Sequence, residues 1–198
     1  TLPAPEGAAF SLSSESPGPV AVSPDGRSLA FAAEDSDGKV RLFVRNLDAT
    51  TAHPLSGTDG AGYPFWSPDS RWLGFVVRSE RVLRKIDVTG GPPLPLCAAP
   101  DAKGGSWSPE GTIVFSPDVS GPLHAVPATG GTSKPITKVD AANHSSHRHP
   151  RFLQLPRRHQ RPLERAVVLA VAAPLVDDDP AHEVDHLNDL ERGHARPP

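Results

Sequence analysis

The chain has 198 residues, with 20 Lys and Arg against 23 Asp and Glu and a formal net charge of −3. That balance argues against a nucleic-acid or membrane-surface partner found through net basicity, and the single cysteine, Cys97, excludes a disulfide framework and a cysteine-rich zinc site. Gly (17) and Pro (24) are abundant, which suits many short strands joined by turns better than long helices.

The chain opens on Thr1 and contains no Met, so it reads as a fragment or a processed product. No secretory signal opens it. The longest nearly apolar stretch, Ala166 to Val176, is too short to span a bilayer and is interrupted by Pro174. Localisation is not written in these residues.

The first element is a turn. "VSPDGRSLAF", from Val22 to Phe31, returns as "WSPDSRWLGF" from Trp66 to Phe75 and as "WSPEGTIVF" from Trp107 to Phe115. The Ser-Pro pairs start at Ser23, Ser67 and Ser108, spacings of 44 and 41 residues. In the first copy Pro24 fixes φ for the second position of a type I turn, and Asp25 can fold back onto backbone N–H groups. Gly26 tolerates positive φ. The matching residues are Pro68, Asp69 and Ser70 in the second copy, and Pro109, Glu110 and Gly111 in the third. Ser70 stands where Gly is wanted and carries a backbone cost if it takes that conformation. Strand, turn, strand is predicted in all three copies.

The elements that follow keep one plan. After the first turn come a short buried run, Leu29 to Phe31, and an alternating run, Val40 to Leu47. "AHPLSG" then offers a Pro-bearing edge segment. The second unit gives Trp72–Val77, Val82–Val88 and Pro93–Leu96; the third gives Thr112–Phe115, Pro122–Pro127 and Lys134–Thr137. Four short strands in about 42 residues is the period of a propeller blade.

These units resemble the TolB-like propeller repeats, relatives of the WD-repeat blade, on the strength of Trp66-Ser67-Pro68-Asp69 and Trp107-Ser108-Pro109-Glu110-Gly111. "YPFWSPDSRWLGF", "KIDVTGGPP" and "SHRHPRFL" also resemble the propeller that some bacterial receptor-like serine/threonine kinases carry beyond their membrane segment. The resemblance covers roughly residues 8 to 153. It implies an all-β fold, a partial β-propeller of about three and a half four-stranded blades with an irregular or partly helical C-terminal tail. Blades are expected near 19–57, 63–97 and 105–138, with a fourth starting at 147–153. It also implies a periplasmic or other extracytoplasmic location, and blade-to-blade packing for Trp66 and Trp107.

Beyond Leu153 the pattern stops. Residues 154–198 contain no Ser, Thr, Phe, Tyr, Trp, Lys or Ile, whereas residues 1–153 contain 27 Ser and Thr. We read this tail as disordered or as the product of a shifted reading frame. "LERAVVLAVAA", Leu163 to Ala173, has helical propensity but is not expected to dock on the blades.

Signatures of chemistry are few. "HEVDH" places His182 and His186 one helical turn apart with Glu183 as a candidate base, the pattern of a zinc hydrolase. It resembles the metal-binding helix of peptide deformylases, but that family's Gly-rich and Cys-bearing phrases are absent. His144, His147 and His149 read as a solvated loop. There is no Gly-x-Ser-x-Gly elbow, no kinase motif and no phosphate-binding loop.

The leading expectation is therefore a non-catalytic binding or sensory module, with no catalytic residue, cofactor or metal. It would hold a protein, peptide or small ligand at the propeller mouth. The rivals are the sensor region of a serine/threonine kinase and the zinc hydrolase. Because three and a half blades cannot close a ring, self-association through open blade faces is also expected.

Overall fold

The computed structural model describes residues 18–118 and 121–138, together with the backbone of 145–153 and 167–174. Twelve strands form three four-stranded sheets, each an antiparallel meander in sequence order. The first sheet contains β1 (Ala21–Val22), β2 (Ser28–Glu34), β3 (Val40–Asn46) and β4 (His53–Pro54). The second contains β5 (Ala61–Trp66), β6 (Trp72–Val77), β7 (Val82–Asp87) and β8 (Leu94–Ala98). In the third are β9 (Gly105–Trp107), β10 (Thr112–Phe115), β11 (His124–Pro127) and β12 (Lys134–Pro135).

The sheets stack face to face because both faces of the middle one are apolar. Register sets the faces: Leu73 lies opposite Ile86, and Val76 lies opposite Leu83. Leu73, Phe75, Val77 and Ile86 therefore point one way, onto Ala30, Ala32, Leu42 and Val44 of the first sheet. Val76, Leu83 and Leu96 point the other way, onto Ile113, Phe115 and Val126 of the third. Alternation along one strand thus builds two separate cores. Phe75 and Phe115 sit at the two interfaces without solvent exposure.

Two findings depart from the expectations. Val167–Pro174 is a strand, β14, paired antiparallel with β13 (Ser145–Leu153), and not part of a helix over Leu163–Ala173. Val167, Val168 and Val171 are β-branched and suit an extended chain. The edge of β13 offers backbone groups that need partners, so long-range pairing overrides the local helical propensity of the alanines. One edge of β13 is thus paired along most of its length, with a register shift between Arg148 and Arg151.

The second departure concerns the far face of the first sheet, expected to be open. Leu29, Phe31, Ala33 and Phe43 are all buried there, with Ala52 packed against them. The rings of Phe31 and Phe43 stack at 5.9 Å. An apolar sheet face left in water is unfavourable in proportion to its area, and this one is not left there.

Candidate functional site

The three Ser-Pro turns are built alike. Ser23 and Gly26 close the first through a backbone bond from Gly26 N–H to Ser23 carbonyl at 2.9 Å; Ser70 to Ser67 and Gly111 to Ser108 close the others at 3.0 Å. Gly26, Ser70 and Gly111 have φ of 70°, 59° and 79°. Ser70 is therefore an L-residue held in the left-handed region. Ser70→Gly is expected to raise stability by about 0.5–1 kcal/mol in thermal unfolding. Its hydroxyl also accepts the Asp25 N–H at 3.1 Å, and a fall in stability would show that this link outweighs the backbone strain.

The buried serine of each turn does the internal bonding. Ser23 hydroxyl donates to Asp25 at 2.6 Å and accepts Ser28 N–H at 2.8 Å. Ser67 does the same with Asp69 at 2.5 Å and Trp72 N–H at 2.8 Å. The third turn is one residue shorter: Ser108 N–H reaches Thr112 carbonyl, where Ser67 N–H reaches Trp72. There Ser108 hydroxyl accepts only Thr112 N–H, at 3.2 Å.

The Ser23 hydroxyl, then the Arg27 N–H, hold the Asp25 carboxyl below the usual range. The Ser67 hydroxyl does this for Asp69. Folding thus favours both ionised forms, so their stabilisation is present above the ordinary carboxylate pKa and is lost as pH falls through the lower folded values. The thermal midpoint should drop below about pH 4, and less steeply in Asp69→Asn. Asp35 and Asp87 shift the same way through their own hydrogen bonds, so the variant removes part of the effect. An unchanged slope would place the acid sensitivity elsewhere.

The inner strands β1, β5 and β9 lie side by side and line a cleft of about 590 Å³. Pro24, Pro68 and Pro109 of the three turns border it, with Val22, Trp66 and Trp107 just before them in the chain. Further along the inner strands, Pro19, Tyr63, Pro64, Lys103 and Gly104 continue the lining. Val20 and Val22 are exposed at its wall, at 47% and 58%. Trp66 is buried, and its indole N–H donates to Ala21 carbonyl at 3.0 Å, tying the second sheet to the first. Trp107 is half-buried against the core between the second and third sheets.

Of the residues singled out from sequence, the structure brings Pro24, Trp66, Pro68, Trp107 and Pro109 to this cleft. Ser23, Ser67 and Ser108 lie buried within their turns. Asp25, Gly26, Asp69 and Glu110 are exposed, and Gly111 is half-buried. His182, Glu183 and His186 of the zinc pattern, and His144, fall outside the described residues. Among the described residues there is no cluster of three metal-ligating side chains. Cys97, half-buried, has its thiol pushed up to about 11 by desolvation, so it stays protonated at neutral pH.

Tyr63 and Lys103 escaped the sequence reading. Tyr63 has φ 54°, inside a register shift of β5 between Gly62 and Phe65. A Cβ added at Gly18 would lie 2.7 Å from Tyr63 Cα. Glycine at 18 is what allows this approach. The glycines before the inner strands were the available signal.

The antiparallel four-stranded sheets, stacked in sequence order, match solved propellers. A TolB-like protein of Agrobacterium tumefaciens superimposes with a TM-score of 0.50 at 22% identity, covering 59% of this chain and 48% of that one. The chain takes the β-propeller fold over its described residues. A chain of a nidogen/laminin complex gives a TM-score of 0.51 at 13% identity, covering 67% of this chain and 50% of the other. By sequence, 59 residues are 32% identical to the Tol-Pal system protein TolB of Alcanivorax borkumensis, which is 29% of this chain and 14% of that protein. No family model matches. The chain thus spans about half of the TolB-like structure and a small part of the TolB sequence. Among the described residues no helix is long and apolar enough to cross a membrane.

Proposed function

We propose that this TolB-like propeller is a non-catalytic interaction module that holds a segment of a partner protein in the cleft along its inner strands. The observation that carries the reading is the cleft itself, concave, walled by aromatic and proline side chains, with Val20 and Val22 exposed. Apolar surface of that kind, rimmed by polar groups, marks a binding site more often than a bare surface. One fold neighbour comes from a protein–protein complex, which supports the same reading. An extracytoplasmic setting follows from the likeness to TolB as part of the proposal.

Photo-crosslinking tests it. A crosslinking side chain at Val22 or at Trp107 should trap the same partner, while one at Leu47, exposed and outside the cleft lining, should trap none. Equal trapping from all three positions, or from Leu47 alone, would remove the cleft from the function.

A further inference from the structure

Among the described residues that line the cleft, Lys103 is the one that is charged, and none is acidic. Lys103 is half-buried and makes no ion pair with another described residue. An ammonium with no described counter-charge is free to meet a carboxylate brought from outside. Gly104 sets its own segment against Tyr63: a Cβ there would lie 3.7 Å from the Tyr63 Cβ. Lys103, next to Gly104 in the chain, and Tyr63, with its strained backbone, therefore line neighbouring parts of the cleft. Non-glycine backbone in the left-handed region gathers where surrounding structure holds it for a purpose.

The prolines decide the mode of binding. Pro64 in β5 carries no N–H, so at that point the inner strand cannot donate to an added strand. Flat proline and aromatic faces instead suit an extended, hydrogen-bond-free peptide packed by its side chains. Resting on the interaction reading above, we propose that the cleft selects an extended partner segment bearing an acidic side chain flanked by proline, with Lys103 as the selecting group.

The test uses the full chain and three fluorescein-labelled peptides, Pro-Pro-Glu-Pro-Pro and its Gln and Lys counterparts, followed by anisotropy. The Glu peptide should bind about tenfold tighter than the Gln peptide, and the advantage should shrink with added salt. Lys103→Gln should erase the difference with an unchanged thermal midpoint. Lys103→Glu should move the preference to the Lys peptide, a reversal that a purely structural role would not produce. Equal affinity for all three peptides overturns the charge selection and leaves the interaction module standing. Absence of binding by any peptide overturns the inference as well, and the crosslinks from Val22 and Trp107 then judge the wider reading separately.

Discussion

Phe75→Ala should lower the stability of this chain by about 3–5 kcal/mol, the range for emptying a fully buried phenylalanine site. Phe75 lies mid-strand in β6 and has no solvent exposure. It fills the space between the first and second sheets, among Ala30, Ala32, Leu42 and Val44. The alanines opposite are too small to close the gap, so most of the cavity persists. Urea unfolding followed by Trp fluorescence measures the loss. Leu47→Ala, at a half-exposed site, should change stability by less than about 0.5 kcal/mol in the same assay. A loss at position 75 no larger than that at 47 would mean that the two sheets do not stack through this face.

Gly74→Ala is expected to be nearly as damaging, for the opposite reason. A Cβ at position 74 would sit 2.2 Å from Phe65 Cζ and 2.4 Å from its Cε2. The ring cannot withdraw, because on its other side a Cβ at Gly105 would already lie 3.0 Å from it. Overpacking of this sort costs about 1–3 kcal/mol or somewhat more. Phe65→Leu should recover part of the loss in the Gly74→Ala background, giving a clear non-additivity between neighbours. Simple addition of the two single effects in a denaturant series would contradict the geometry. By contrast nothing lies within 4 Å of a Cβ at Gly26, so alanine there meets only the cost of positive φ, about 1–2 kcal/mol.

The sheets were legible because their signals are local. Pro at the second turn position and Gly or Ser at the left-handed position mark each hairpin. The alternation of Val40, Leu42 and Val44 marks β3, which the structure places at Val40–Asn46. Readings that depended on distant partners fared differently. Val167–Pro174 falls largely within a stretch of helical propensity, Leu163 to Ala173, and pairing with the edge of β13 makes it a strand. Phe31 lies in the run read as buried, but the burial of Phe43 on the same far face of the first sheet is not encoded by the blade repeat. The cleft was legible in part: the turn prolines and tryptophans were named, but nothing near Tyr63 announces its positive φ, whose close neighbours Gly18 and Gly104 lie more than forty residues away on either side. The third turn's loss of the Ser–Asp bond was half visible, in Glu110 and in the missing residue before Thr112.

The middle sheet's position between two cores has a consequence in time. Every strand pairing in the three sheets joins consecutive segments of the chain, so each meander can assemble from short-range encounters. Of the three, the second sheet is the one that shares a hydrophobic core with each of the other two. Its backbone amides should be the last to open, and hydrogen exchange in β6 and β7 should be slower than in β2, β3, β10 and β11. The molecule would loosen from its flanks inward, one interface at a time, with the wall of the cleft supplied by β5 the last part of the site to be lost.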